Sequence, residues 1–249
     1  MTKNIFITGG TSGIGKSLIY KFAENKCNIF FTYNSNLNEA QSISKNLKKL
    51  NILHNYAKMD LSRPETINNA FKKFSKQFRR LNIFINNASI KMQRKEFLKL
   101  KNIEIFKNIK GLLIGNIISL KKALELSLKK SSSNQSIIIN ISSYASISGG
   151  KNIHLYASSK SALNTLTTAL SKDSFKKKIK FFSIVPRYID TPSFRKNNNI
   201  KNNRDLILFK KRKKIKRIKK PKEFANFVYN KFIRNINTKY NPIIHYDSF

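Results

Sequence analysis

A glycine turn near the N-terminus is the sequence feature that most limits how this chain can fold. The apolar run Asn4–Thr8 leads directly into Thr8-Gly9-Gly10-Thr11-Ser12-Gly13-Ile14-Gly15, and a helix-like segment follows. Gly9 permits a sharp turn out of the strand, while Gly13 and Gly15 let the backbone approach a ligand and let the helix pack closely on the sheet. The helix that begins near Ile14 directs free N–H groups and a positive dipole at the turn. This segment therefore predicts a pocket for a dinucleotide pyrophosphate.

Strand-like and helix-like segments alternate along the rest of the chain. The predicted strands are Asn4–Thr8, Asn28–Tyr33, Leu53–Met59, Asn82–Asn86, Ile137–Ile141, Ile179–Val185 and Pro242–Tyr246. Repeated β–α alternation requires right-handed crossovers, so it predicts an α/β fold with a Rossmann-type, doubly wound parallel sheet of about seven strands. No linker divides residues 1–249, which indicates a single domain.

Two further segments carry specific expectations. The stretch from Phe97 to about Lys130 predicts a long helix that breaks near Gly111 or Gly115, followed by a polar turn over Ser131–Gln135. The segment Phe194–Lys220 has little regular pattern. We expect it to be weakly structured and to cover the active site as a variable, basic substrate loop.

Composition narrows the class of protein. The chain has one cysteine, Cys27, so it cannot form an intramolecular disulfide, and a reducing compartment such as the cytoplasm is expected. No uncharged run approaches the roughly 20 residues that span a bilayer, so no membrane partner is expected. The three histidines, His54, His154 and His245, share no ligand spacing, so we predict no metal site.

The charge of the chain is strongly positive. Subtracting 12 acidic from 50 basic residues gives +38. The segment Arg195–Lys222 holds fourteen basic residues and one acid, yet the remainder still has 36 against 11, or +25. Two interpretations stay open: a genome-wide drift towards Asn, Ile and Lys, or a surface selected to bind a polyanion such as a nucleic acid or an acidic protein.

The ends of three predicted strands indicate how a dinucleotide would be held. No acid follows the second strand at Tyr33-Asn34-Ser35, where a carboxylate would select NAD, so the neutral Asn34 favours NADP. Asp60 follows the third strand and has two compatible roles, as acceptor from the adenine amino group or as cap of the next helix. After the fourth strand come Asn87 and the small Ala88, which lets the cofactor ribose lie close. The hydroxyls of Thr11 and Ser12 order the glycine turn.

Three residues predict the chemistry. Tyr156 and Lys160 share one helix face at i and i+4, and Ser143 ends a buried strand thirteen residues before the tyrosine. A tyrosine of ordinary pKa, about 10, is a poor base at neutral pH, but a nearby ammonium and the positive ring of an oxidised nicotinamide favour its phenolate. Tyr156 would then exchange a proton with a carbonyl or alcohol, and Ser143 would donate to the carbonyl oxygen.

These patterns together resemble the short-chain dehydrogenase/reductase family over nearly the whole chain. The matching stretches are TGGTSGIG (8–15), MDLS (59–62), NNAS (86–89), NISS (140–143), YASSK (156–160), VPRYIDTP (185–192) and PKEFA (221–225). The resemblance implies strand order 3-2-1-4-5-6-7, an NAD(P)H cofactor, and interconversion of a carbonyl and a secondary alcohol. It further implies cofactor contacts by Leu61, Pro186, Ile189 and Thr191, and a homo-oligomer, either a tetramer or a dimer.

Two departures from the family pattern affect the expected site. Many members hold a relay water with an asparagine in the long helix; alignment on Lys122-Ala123 places Leu113 there, flanked by Asn108 and Asn116. The usual Pro-Gly after the sixth strand is Pro186-Arg187, which puts a cation near the pyrophosphate, near an anionic substrate, or in solvent.

The basic run Lys210–Arg217 would suit an acidic partner, so a 3-oxoacyl-carrier-protein reductase is the leading specific expectation. A reductase of another small carbonyl or sugar is comparable. A basic nucleic-acid-binding protein on the same fold is the weakest alternative.

Overall fold

A parallel sheet of seven strands forms the centre of the computed structural model, which describes residues 2–129, 135–173, 178–234 and 240–246. The strand order is β3-β2-β1-β4-β5-β6-β7, as expected from the family resemblance. The strands are β1 Asn4–Ile7, β2 Asn28–Tyr33, β3 His54–Lys58, β4 Ile83–Asn86, β5 Ser136–Ile141, β6 Ile179–Val185 and β7 Ile243–His245. All pairings are parallel, which confirms the predicted fold class.

Side chains on both faces of the sheet are buried, and this explains the continuously apolar strands. In β1, Ile5 and Ile7 pack into the hydrophobic cluster on one face, whereas Phe6 packs into the cluster on the other. The first face is covered by α1 Gly13–Glu24, α2 Leu37–Lys49 and α10 Pro221–Tyr229; the second is covered by α3 Pro64–Gln77, α5 Gly115–Lys129 and α7 His154–Leu170. The two layers of helices fix the sheet edge at which the strands end.

The long helix predicted over Phe97–Lys130 is broken into several elements. A 3₁₀ turn at Phe97–Lys99 precedes α4 Asn102–Ile109, and a π-helical turn over Lys110–Ile114 joins α4 to α5. The break therefore lies in the predicted region between Gly111 and Gly115. A Cβ on Gly115 would lie 2.1 Å from the carbonyl oxygen of Leu61, so close packing of this helix on the chain after β3 requires the glycine. The predicted turn at residues 131–134 falls outside the described residues.

The prediction of a weakly structured segment at Phe194–Lys220 is wrong. It contains most of α8 Pro192–Asn197 and all of α9 Asn203–Arg212, and Lys219 pairs with Ile189 in an isolated β-bridge. Helix α9 begins at a capping box of Asn202 and Asp205, a signal that its high lysine content obscures. Phe209 is the buried residue of this helix and anchors the segment over the sheet edge. Helix α6, Ala145–Ser148, precedes α7.

Candidate active site

A cleft of about 1300 Å³ runs along the carboxyl ends of the strands, where ligands bind in open parallel sheets. It crosses the point at which the strand order reverses between β1 and β4. Its walls include all three predicted catalytic residues, Ser143, Tyr156 and Lys160. Twelve of the predicted cofactor-binding residues that have no catalytic role also line it: Gly9, Thr11, Ser12, Gly13, Ile14, Asn34, Leu61, Asn87, Ala88, Pro186, Ile189 and Thr191. The residues predicted from separate motifs thus meet in one site.

The glycine turn is held in a conformation that a side chain would disrupt. Gly9 and Gly13 have φ angles of +68° and +51°, in the region that favours glycine. A Cβ on Gly9 would lie 2.9 Å from the Cα of Ala88, and one on Gly15 would lie 2.2 Å from the carbonyl oxygen of Gly9. Gly15 does not line the cleft; it serves the close helix packing that its position predicts.

The start of helix α1 leaves backbone donors available at the cleft. Its N-cap, Ser12, makes no side-chain capping hydrogen bond, and its first turn contains no acidic residue. The first N–H groups of a helix lack partners within the helix and attract anions. The turn therefore fits the pyrophosphate of a dinucleotide.

Thr8 and Asn87 connect the glycine turn to the end of β4. The buried Thr8 Oγ1 accepts hydrogen bonds from the backbone N–H groups of Asn87 and Ala88, each at 2.9 Å. Asn87 Nδ2 donates back to the carbonyl oxygens of Thr8 at 2.8 Å and Gly9 at 3.1 Å. These four bonds fix two walls of the cleft relative to each other.

Asp60 lies beside the cleft without lining it. Its Oδ1 accepts from the N–H of Ser62 at 2.8 Å, its Oδ2 lies 3.9 Å from Arg63 Nε, and its backbone N–H donates to Thr66 Oγ1 at 2.9 Å. These contacts order the turn before α3, but the N-cap residue of that helix is Arg63, so the predicted cap role of Asp60 is wrong. Adenine recognition by Asp60 stays a prediction.

Helix α2 follows the end of β2 and begins at Leu37. The side chain of its N-cap residue, Asn36, accepts the N–H of Glu39 at 3.0 Å. Glu39 pairs with Lys16 at 2.7 Å, which leaves Asn34 and Ser35 as the polar residues of this stretch that line the cleft.

Ser143, Tyr156 and Lys160 converge where β5 meets α7. The Lys160 side chain is 3% exposed, and its Nζ donates to the carbonyl oxygen of Ile141 at 2.8 Å and lies 5.9 Å from the centre of the Tyr156 ring. The side chains of Ser143 and Tyr156 form a hydrogen bond, and Ser143 Oγ also accepts from the N–H of Ala145 at 3.2 Å. Two hydroxyls and an ammonium therefore belong to the same part of the cleft wall.

Burial shapes the pKa values of the pair. Desolvation raises the pKa of the Tyr156 phenol, and the hydrogen bond with Ser143 opposes this in part. Desolvation also lowers the pKa of Lys160, from 10.5 to about 8. The chain's own groups therefore keep Tyr156 protonated and Lys160 mostly charged at neutral pH, the states that donate a proton to a carbonyl. The lowered tyrosine pKa that we expect depends on the positive ring of an oxidised cofactor as well.

Asn108, rather than Leu113, lies near the tyrosine. A small cavity of about 10 Å³, close to the volume of one water, is bounded in part by Gln93, Asn108, His154 and Tyr156. Asn108 Nδ2 donates to Gln93 Oε1 at 2.9 Å and to the carbonyl oxygen of Glu104 at 2.7 Å. Within the described residues no hydrogen bond joins Leu113, Asn108 or Asn116 to Lys160. Asn108 lies in α4, ahead of the π-helical turn and five residues before the position that the ungapped alignment gives. His154 is the first residue of helix α7.

Comparison with known proteins identifies the class. The sequence profile described as short chain dehydrogenase matches residues 3–202, so the chain belongs to this family of oxidoreductases, whose cofactor is NAD or NADP. A 3-oxoacyl-[acyl-carrier-protein] reductase, FabG of Chlamydia trachomatis serovar D (strain ATCC VR-885 / DSM 19411 / UW-3/Cx), is 27% identical over 204 residues, 81% of this chain and 80% of that protein. YhxC of Bacillus subtilis (strain 168), an uncharacterized oxidoreductase, is 26% identical over 190 residues, 76% of this chain and 65% of that protein.

Solved structures share the fold. A levodione reductase has a TM-score of 0.85 at 20% identity, with 98% of this chain and 96% of that chain covered. A short chain dehydrogenase from Burkholderia cenocepacia J2315, in complex with NADP, has a TM-score of 0.82 at 21% identity, with 98% of this chain and 95% of that chain covered.

No helix among the described residues combines the length and apolarity that a membrane span requires.

The cleft fits the family's cofactor, because a side chain at Gly9 would collide with the neighbouring loop and the α1 donors are uncapped. The nicotinamide supplies or removes a hydride when bound. We expect the residues of this chain to do the rest: the α1 turn would hold phosphate, Tyr156 would give a proton to the carbonyl oxygen, and Ser143 would donate a hydrogen bond to that oxygen. Lys160 would supply positive charge beside the phenol. These residue roles stay predictions.

Proposed function

We propose that this oxidoreductase uses NADPH to reduce the 3-keto group of an acyl thioester carried on an acyl carrier protein, a step of fatty acid biosynthesis. The observation that supports this proposal most directly is the positive charge of the substrate side of the cleft. Seven cationic side chains besides Lys160 line it and no acidic one among the described residues does: Lys91, Arg94, Lys151, Arg187, Lys196, Arg212 and Lys213. An acidic carrier protein would be attracted to such an entrance.

The exposed end of α9 extends this positive surface. Lys211, Lys214 and Lys216 are exposed beside the cleft-lining Arg212 and Lys213. Cations in the last turn also complement the dipole of α9, which is a structural reason for some of them. The carrier proposal therefore needs a test that separates recognition from compositional drift. The similarity to FabG also supports the proposal, because that relative is named as a 3-oxoacyl-[acyl-carrier-protein] reductase.

The preference for NADPH over NADH is part of the proposal. It rests on Asn34 and Ser35, neutral residues that line the cleft at the end of β2 where an acid would repel a 2′-phosphate.

We also propose a cytoplasmic location and a homotetramer or dimer. Exposed apolar side chains next to and on α4, among them Leu98, Ile103 and Phe106, would be covered by a second copy. Light scattering after gel filtration tests the assembly.

The carrier proposal is tested by comparing acetoacetyl-carrier protein with a small acetoacetyl thioester. Changing Lys211, Lys214 and Lys216 to glutamate should raise KM for the carrier substrate by about tenfold or more and leave the small thioester unaffected, because only the carrier reaches these residues. Added salt should reproduce the defect by screening.

The matched control reverses the same number of exposed lysines elsewhere: Lys45 on α2 and Lys72 and Lys76 on α3. Equal effects of both triple variants, or equal effects on both substrates, would show that the charge is compositional. Tight RNA binding with a steep salt dependence that NADPH does not change would favour the nucleic-acid alternative.

A second candidate, reduction of a small carbonyl or sugar compound, is favoured by the position of one of the cations. Arg187 lies within the cleft wall close to Ser143 in space, where a small substrate rather than a carrier protein would meet it.

A further inference from the structure

Arg187 occupies a position where two parts of the active site meet. It follows Pro186 at the end of β6, and the carbonyl oxygen of Pro186 accepts a hydrogen bond from the N–H of Tyr144 at 2.8 Å. Tyr144 directly follows Ser143 in the chain. The side chains of Ser143, Tyr144, Tyr156 and Arg187 all line the same cleft. Arg187 therefore lies in the same cleft as the predicted catalytic residues, beside the loop that follows Ser143.

Two aromatic rings lie beside the guanidinium. Its central carbon lies 5.0 Å from the centre of the Tyr144 ring and 5.7 Å from the centre of the Tyr188 ring. Tyr188 is itself packed against Phe194 and Phe209, with ring centres 5.9 and 5.7 Å apart. Arg187 is exposed, and these contacts place it between the loop after Ser143 and the helical segment that covers the cleft.

The hydrogen-bond donors of Arg187 are available to a ligand. The N–H donors of a guanidinium form a fixed planar fork. Among the described residues, Arg187 makes no hydrogen bond and no ion pair, in contrast to Arg195, which pairs with both oxygens of Asp190 at 2.6 and 2.8 Å. Two parallel N–H donors match the two oxygens of a carboxylate.

We propose that Arg187 binds the ionised carboxylate of short oxo acids, a second substrate class for the catalytic centre of this oxidoreductase. In this reaction the carbonyl carbon accepts a hydride from the reduced nicotinamide, the carbonyl oxygen accepts the proton of Tyr156, and solvent returns a proton to the phenolate. One oxo acid, one NADPH and one proton give one hydroxy acid and one NADP⁺. The inference rests on carbonyl reduction at this site, and it does not require a carrier protein.

The test uses pairs of substrates that differ only in charge: acetoacetate with methyl acetoacetate, and levulinate with methyl levulinate. The unmodified protein should have the higher kcat/KM on the acid of at least one pair. Arg187→Gln should lower kcat/KM for that acid by about 10- to 100-fold, the range for losing a hydrogen bond to a charged group, chiefly through KM. The methyl ester should change less than about twofold, and Arg187→Lys should fall between, because lysine keeps the charge without the planar pair of donors.

The control variant is Arg204→Gln, which removes an exposed cation of α9 outside the cleft and gives the same net charge. It should leave both members of each pair unchanged. A second measurement does not depend on turnover: calorimetry of malonate binding to the complex with NADPH, which should be lost in Arg187→Gln and kept in Arg204→Gln.

Four outcomes would overturn the inference. They are esters reduced as well as their acids by the unmodified protein, equal losses on acid and ester in Arg187→Gln, malonate binding that ignores the substitution, and a weaker affinity for NADPH in Arg187→Gln. The last would assign Arg187 to the cofactor's pyrophosphate. None of these substrates carries a carrier protein, so failure of the carrier proposal would leave this result unaffected.

Discussion

Replacing the buried lysine by methionine should stabilise the protein while it removes activity. Lys160 is 3% exposed, and the single hydrogen bond of its Nζ among the described residues goes to the carbonyl oxygen of Ile141. Desolvation lowers its pKa from 10.5 to about 8. A lysine whose pKa is lower in the folded chain binds its proton less well there than in the unfolded chain. Below pH 8 the buried charge therefore opposes folding.

The size of the effect follows from the two pKa values. The difference, 10.5 minus 8, is 2.5 units, which corresponds to about 3 kcal/mol at 1.36 kcal/mol per unit. Loss of the hydrogen bond to Ile141 costs about 1 kcal/mol. We therefore expect Lys160→Met to be more stable than the unmodified protein by about 2 kcal/mol at pH 7. From pH 8 to 10.5 the folded lysine loses its proton before the unfolded one does, so the stability of the unmodified protein rises and the gap narrows.

Urea unfolding without cofactor, at pH 7 and pH 10, measures this gap. Lys121→Met, at an exposed position of α5, is the matched control and should change stability little at either pH. The reasoning is refuted if Lys160→Met is less stable than the unmodified protein at pH 7, or if the gap is the same at both pH values. Carbonyl reduction by Lys160→Met should be lost in the same preparation.

Three further predictions address the cofactor site and the scaffold. NADPH should bind more tightly than NADH, and Asn34→Asp should reverse this order by repelling the 2′-phosphate; titration of cofactor fluorescence measures both affinities, and equal affinities in the unmodified protein would count against it. Thr8→Val should destabilise the fold by at least about 2 kcal/mol in urea, since two backbone donors lose their acceptor, while Thr8→Ser should keep most of the stability. The pKa of Glu104 is lowered from 4.5 to about 2 by its hydrogen bonds with Lys95, the backbone of Lys101 and Gln93. Glu104→Gln should therefore be less stable than the unmodified protein above pH 4.5, and the two stabilities should converge as the pH falls to 2. A constant difference down to pH 2 would contradict this.

The sequence predicted the strands well because the core pattern is strong and local. The bounds of β2 and β6 are those predicted, since each strand is mostly apolar and is followed by a polar or turn residue. The helices over the cleft were harder to predict. In α9, lysines and arginines obscure the pattern that Phe209 and the Asn202 cap otherwise indicate, so the sequence predicts a loop where the structure has a helix.

The residues of the candidate site also fall into a group that the sequence predicts and a group that it does not. Residues in short motifs, such as Ser143, Tyr156 and Lys160, could be assigned because their spacing reflects the geometry of one strand and one helix. The position of Asn108 could not, because it depends on contacts with Gln93 and with the start of α7, which no linear spacing reveals. Arg187 contacts Tyr144, which lies more than forty residues earlier in the chain, as well as its neighbour Tyr188. The sequence therefore predicts a cation at this position but not the aromatic rings around it.

The most direct test of the central claim is the effect of Tyr156→Phe on turnover and on cofactor binding. The ring remains but the transferable proton is removed, so the rate of carbonyl reduction should fall by about 100-fold or more, the range for general acid catalysis. The affinity for NADPH, measured by fluorescence titration, should change little, because the α1 turn that holds the phosphates is untouched. A variant that keeps more than about a tenth of the rate would contradict the assignment of Tyr156 as the proton donor.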